Sequence, residues 1–130
     1  MKHEESKIQC EIVRYLQDQK IFCFSVPNEG AGSNAIRAGQ MVTMGMKSGV
    51  SDLVAFFPDG IVFIEVKTKT GKQSPAQVKF EARCKEEGYP YYLVRSVEDV
   101  KSILDAKNSP LNASFGENGE SIPERVKRNK

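Results

Sequence analysis

The sequence predicts an α/β fold: a mixed central sheet flanked by helices. Three observations predict it. Two apolar, β-prone segments flank Pro58-Asp59-Gly60, which carries the Asp-Gly signal of a tight hairpin. Stretches with helical spacing or helix caps lie on both sides of that hairpin. A further short apolar run, Pro90 to Val94, falls between the last two of them and adds a strand. The predicted order is helix, strand, helix, hairpin, helix, strand, helix.

Each element has a local reason. Residues 4–20 read as a helix, because Ile8, Ile12, Tyr15, Leu16 and Gln19 recur at helical spacing and Val13 widens the stripe. Residues 21–26 are a short β-prone run. Pro27 to Asn34 is rich in turn residues, and a short helix over 35–46 follows. The hairpin strands span about 52–57 and 61–68. Ser74 is a good N-cap, Pro75 then falls at the first helical position, and Gly88 stops that helix after Glu87. Its apolar positions, Val78, Phe80, Ala82 and Cys84, make a poor stripe. Ser96 caps a last helix to about Lys107, with Val97, Val100, Ile103 and Leu104 inward. The expected organisation is one domain over residues 1–108 and a polar, basic, flexible tail over 109–130.

Composition bounds the function. The chain of 130 residues is long enough for a real core. No apolar run approaches the roughly 20 residues of a membrane span, so no membrane partner is expected. The first residues, Met1 to Lys7, are charged and lack the apolar stretch of a secretory signal, and the chain reads as cytoplasmic. A net charge of +2 does not by itself call for nucleic acid. Its distribution says more: Lys67, Lys69, Lys72 and Lys79 follow the hairpin, and Arg125, Lys127, Arg128 and Lys130 close the chain. Cys10, Cys23 and Cys84 are widely spaced, with His3 the only histidine, which argues against zinc and for free, mostly buried thiols.

The chemistry concentrates on Asp52, Glu65 and Lys67. If Pro58 and Asp59 form the hairpin loop, Asp52 lies opposite Glu65; if Asp59 and Gly60 form it, Asp52 lies opposite Lys67. Side chains alternate with period two, so either register gathers two carboxylates and an amine on one face. Converging carboxylates suit a hard dication such as Mg²⁺, which takes oxygen ligands and keeps several waters. Asp52 and Glu65 are the candidate ligands, the Val66 carbonyl a third oxygen, and Lys67 the group that orients water or stabilises charge on a phosphate. That is the layout of a metal-dependent nuclease. The competing reading is a solvated sheet edge. Against it, Ile61-Val62-Phe63-Ile64 is apolar on both faces, and a strand buried on both sides ends in Glu-Val-Lys only where the charges have partners.

Gly49-Val50-Ser51-Asp52-Leu53, then Glu65-Val66-Lys67, then Ser74-Pro75-Ala76-Gln77 resemble the PD-(D/E)xK nuclease signature, in the variant of the virus-type replication-repair nuclease (VRR-NUC) domain. Glu5-Ser6-Lys7-Ile8-Gln9 resembles that family's first-helix motif. Pro27-Asn28 before a Gly-rich loop, and Arg37 before Gly45 and Gly49, resemble its central stretch. Ser51 stands where the signature's name has Pro. The resemblance covers about residues 4–95. It implies a restriction-endonuclease-like α-β-β-β-α-β core and structure-selective cleavage of DNA with Mg²⁺ or Mn²⁺. It further implies a small stand-alone protein like a Holliday-junction resolvase, acting as a homodimer on branched or four-way DNA, in a bacterium or a virus-infected cell. By the same carry-over Asp52 and Glu65 bind metal and Lys67 is catalytic. Glu5, with Glu4 as competitor, completes the acidic pocket, and Gln77 helps hold Lys67 or the phosphate. Asn28, Arg37, Lys69 and Lys72 are candidates for DNA contact. A nuclease of the same fold acting on flaps or linear DNA, and a non-catalytic DNA-binding module, are the alternatives.

Overall fold

The hairpin organises the sheet. In the computed structural model, which describes residues 2–27, 40 and 43–108, strands β2 (Leu53–Phe57) and β3 (Gly60–Val66) pair antiparallel. Phe57 pairs with Gly60, so Pro58 and Asp59 form a two-residue loop. β1 (Cys23–Ser25) adds antiparallel to the outer side of β2, and β4 (Tyr91–Val94) adds parallel to β3. The sheet order is β1-β2-β3-β4. Helix α1 (Lys2–Asp18) precedes the sheet, α2 (Pro75–Glu87) links β3 to β4, and α3 (Val97–Lys107) follows. Among the described residues the order α1-β1-β2-β3-α2-β4 is the core the family resemblance implied.

The two sheet faces do different work. Leu53, Ala55 and Phe57 of β2 and Val62, Ile64 and Val66 of β3 point to one side. There they meet Ile12 and Leu16 of α1 and Val100 and Leu104 of α3 in a single apolar core. Each fully buried Leu or Ile in it contributes about 1.5–3 kcal/mol. On the opposite face Phe63 packs edge-on against Phe80 of α2, ring centroids 5.6 Å apart, and Phe80 in turn meets Tyr91. Period-two alternation carries Glu65 and Lys67 onto this second face, under α2.

The caps of α2 follow the sequence. Ser74 Oγ accepts from the Gln77 N–H, the Gln77 side chain accepts from the Ser74 N–H, Pro75 stands at the start, and Gly88 ends the helix at φ 85°. Its facing corrects the expected stripe. Val78 is 50 % exposed and Ala82 is exposed, whereas Gln77, Phe80, Glu81 and Cys84 turn inward. Those spacings are helical, but half the positions are polar because they cover a polar site rather than a core.

α1 stops two residues before the predicted end. Lys20 adopts φ 63°, its N–H reaches the Gln17 carbonyl, and the Ile21 N–H reaches the Leu16 carbonyl, which closes the helix as a Schellman turn. The three cysteines are free. Only Cys84 is buried; Cys23 is half-buried and Cys10 is exposed on the outer side of α1, so the expectation of mostly buried thiols is corrected. Most of the helix expected over 35–46, and the tail over 109–130, lie outside the described residues. No described helix is long and apolar enough to cross a membrane.

Candidate active site

The observed register decides between the two hairpin alternatives. Leu53 pairs with Ile64, so the next position brings Asp52 opposite Glu65. Asp52 Oδ2 accepts a 2.8 Å hydrogen bond from the Val66 N–H, which ties its carboxylate to β3. In an extended strand the N–H and C=O of one residue face the same neighbour. The Val66 carbonyl is therefore turned toward the Asp52 side.

Glu65 is 1 % exposed. Its Oε2 accepts from Gln77 Nε2 at 2.8 Å and lies 3.8 Å from Lys67 Nζ, itself on a residue only 9 % exposed. Its Oε1 is buried without a hydrogen-bond partner. An ionised carboxylate with an unserved oxygen in such a place is costly, and the group responds by holding its proton. Burial pushes the Glu65 carboxyl from its ordinary 4.5 up to about 8; the neighbouring Asp52 charge adds to the rise, Lys67 opposes it, and Glu5 adds a smaller push. Glu5 on α1 is half-buried and near enough for its charge to act on Glu65, while Glu4 is exposed. Among the described residues no three His, Cys, Asp or Glu side chains gather as a metal cluster, so the acidic set is the Asp52–Glu65 pair.

Those donors fit a hard dication. They are oxygens, two carboxylates and a nearby carbonyl, and one carboxylate oxygen is buried with nothing to serve it. An unsatisfied buried acceptor beside a second acid is what a bound cation would relieve.

Local sequence explains how the pieces meet. Gly49 has φ +77°, and a Cβ there would lie 2.3 Å from the Ala76 carbonyl oxygen and 2.7 Å from the Gln77 nitrogen. Only glycine lets the chain before β2 lie on the first turn of α2. That contact brings Gln77 over Glu65. Ser51, fully buried, donates from Oγ to the Leu53 carbonyl at 3.1 Å and shapes the approach to β2.

The remaining sequence candidates separate. Lys69 and Lys72 are exposed beyond Lys67. Asn28 and Arg37 lie outside the described residues. Three residues not singled out from sequence stand around the site. Burial raises the pKa of the Tyr91 hydroxyl, and the neighbouring Glu65 raises it further. Gln73 donates to that hydroxyl at 3.1 Å and to Glu81 at 3.0 Å. Arg95 grips the turn after Lys67. The structure brings Asp52, Glu65, Lys67 and Gln77 together.

A sheet of this order, with half-buried Asp52, buried Glu65 and Lys67 on one face beneath α2, has the arrangement expected of a PD-(D/E)xK nuclease. The family model of the VRR-NUC domain matches residues 3–98, and the chain belongs to that family. Among solved structures, a VRR-NUC domain superposes with a TM-score of 0.58 at 22 % identity, covering 78 % of this chain and 95 % of its own. A VRR-NUC domain protein does so with a TM-score of 0.64 at 21 % identity, covering 79 % and 86 %. Identities this low speak for the fold. No curated protein gives a significant match.

Proposed function

We propose that this chain is a divalent-cation-dependent endonuclease that hydrolyses phosphodiester bonds in branched DNA. The observation that carries the reading is Glu65 Oε1, buried and unpartnered beside Asp52, with Lys67 and Gln77 on the other oxygen. Asp52 and Glu65, helped by the Val66 carbonyl, would hold Mg²⁺ or Mn²⁺, and Glu5 would close the acidic side of the pocket. Such a cation polarises the phosphoryl oxygens and lowers the pKa of its water.

The side chains divide the rest of the task. Lys67 Nζ, drawn toward Glu65 from a buried stem, faces the same pocket and either stabilises charge on the phosphate or orients the attacking water. Gln77 fixes Glu65 Oε2, leaving Oε1 for the cation. A groove of about 1320 Å³ between residues 45–48 and α2 runs beside the site without including Asp52, Glu65 or Lys67; its lining is mostly apolar, but Lys47, Lys79, Arg83 and Lys85 stand on it against the single acid Glu86, which favours a DNA backbone there. Arg83 pairs with Glu86 and Glu87 and Lys85 with Glu81, but Lys47 and Lys79 make no such ion pairs among the described residues.

The preference for branched DNA, like that of a stand-alone Holliday-junction resolvase, rests on the sequence resemblance. Two symmetric cuts across a four-way junction call for two sites related by a two-fold axis, hence a homodimer. The exposed rings of Phe24 on β1 and Phe56 on β2, both touching the exposed ring of Phe22 just before β1, supply an uncharged surface suited to a second copy.

A cleavage panel of four-way, flap, nicked and linear DNA with Mg²⁺, Mn²⁺ or EDTA tests the reading. Junction cleavage that stops with EDTA is expected, and E65A and K67A should abolish it while the fold persists. Binding without cleavage under every cation, or full activity in either variant, would refute it. Preferential cutting of flaps or linear ends would keep the chemistry and change the substrate.

A further inference from the structure

We propose that Arg95 is a positioning residue for Lys67, acting through the turn that follows it. The inference rests on the nuclease reading above, in which Lys67 is catalytic.

Where β3 ends, Lys67 still donates its backbone N–H to the Val94 carbonyl at 3.0 Å. The chain then turns, with the Gly71 N–H on the Thr68 carbonyl at 3.1 Å. Arg95 directly follows Val94. Its Nη1 lies 2.6 Å from the Thr68 carbonyl, 2.8 Å from that of Gly71 and 3.2 Å from that of Lys69. One guanidinium nitrogen carries two N–H groups. Thr68 and Gly71 take them, and Lys69 shares. The arginine is itself tied down, because its backbone N–H donates to Asp99 Oδ2 at 2.8 Å in the first turn of α3, whose N-cap is Ser96. A rigid junction thus grips three carbonyls of a segment that belongs to no helix or strand.

That turn is a wall of the lysine's slot. An added Cβ on Gly71 would meet Thr68 Oγ1 at 3.1 Å and Lys67 Cδ at 3.6 Å. Lys67 and Thr68 are 9 % and 8 % exposed. A lysine stem is flexible and keeps one rotamer only where packing holds it. Glu65 Oε2, 3.8 Å from Nζ, is a loose tether by itself. Remove Arg95 and the three carbonyls turn to water, the wall opens, and Nζ leaves the pocket part of the time. Arg95 need never touch the phosphate.

Steady-state cleavage by the full chain tests this, each variant assayed well below its melting temperature. R95A should lower kcat at least about tenfold with KM within about twofold, since a small misplacement of a reacting group costs rate rather than binding. R95K should recover most of that loss, because one ammonium nitrogen can serve the same carbonyls. A purely structural role would lower the melting temperature and leave kcat of the folded protein near wild type. A phosphate contact would raise KM and flatten its salt dependence with kcat little changed. Either result, or R95K no better than R95A, overturns the proposal. If R95A melts too low to assay, R95Q and R95K carry the same comparison. K67A run alongside separates the two readings. A fully active K67A sinks the catalytic lysine itself, whereas an inactive K67A with a wild-type kcat in R95A sinks only the positioning role.

Discussion

Gln77 Nε2 donates to Glu65 Oε2 at 2.8 Å, while Oε1 of the same amide accepts the Ser74 N–H at 2.8 Å and so completes the cap of α2. One side chain therefore starts a helix and aims a buried acid. The two roles separate by substitution. Q77A removes both and should cost about 1–2 kcal/mol of stability and about 10–100-fold in kcat. Q77E keeps an acceptor suited to the capping box but turns a carboxylate on Glu65, so it should retain more of the helix and little of the activity. Denaturant unfolding beside cleavage kinetics checks both, and a fully active Q77E would show that the amide does not position Glu65.

The raised Glu65 carboxyl predicts a pH dependence with a definite sign. Its folded value of about 8 stands above the ordinary 4.5, so between those limits the folded chain binds a proton that the unfolded chain has released. The contribution is complete below 4.5 and is lost as pH rises toward and through 8, at a rate of up to about 1.4 kcal/mol per pH unit. In EDTA the melting temperature should therefore fall between pH 6 and pH 8, more steeply for wild type than for E65Q. A bound dication favours the ionised carboxylate, so Mg²⁺ should raise stability most at the upper end and release a proton on binding. Identical EDTA melting profiles for wild type and E65Q would remove Glu65 as their origin.

Gly49 and Gly45 form an internal comparison. Both have positive φ, +77° and +109°, but a Cβ at Gly49 would collide with the backbone of Ala76, whereas one at Gly45 meets nothing within 4 Å among the described residues. G45A should cost only the conformational strain, about 1–2 kcal/mol. G49A adds an overlap with main chain that has no way to yield, for a total of about 2–5 kcal/mol. It should also push α2 away from Glu65 and depress kcat. Equal melting temperatures for the two variants would contradict this account of the Gly49 contact.

These pairs also show what a linear reading captures. The Asp52–Glu65–Lys67 trio was legible because hairpin geometry has few options and both left the three groups on one face. The start of α2 was legible because Ser74, Pro75 and Gly88 act locally. The facing of α2 was not, since its inward positions Gln77 and Glu81 are polar and hide the helical period. Tyr91 reads as an ordinary strand aromatic until Gln73 and Glu65 are found beside it. The Arg95 contacts have no sequence signature at all, because the acceptors are backbone carbonyls that every residue carries. Gly49 was visible as part of a motif, but the reason for it, the approach of Ala76, exists only in three dimensions.

The groove beside α2 makes a last prediction about how substrate is held. Arg83 and Lys85 are engaged by neighbouring acids, Arg83 by Glu87 at 2.9 Å and Lys85 by Glu81 at 2.9 Å, which spends much of their field within the helix. Lys47 and Lys79 are exposed on the groove and make no such pairs among the described residues, so they are the better candidates for phosphate contacts. Each phosphate contact releases condensed counterions and contributes about 0.9 to the slope of log K against log salt on duplex DNA. K47A/K79A should therefore weaken DNA binding at low salt, lower that slope by about 1–2, and converge with wild type as salt rises. R83A, whose charge is already compensated, should change the slope less. Binding measured across a salt series decides it: a double variant with the wild-type slope would place the DNA backbone elsewhere on the molecule.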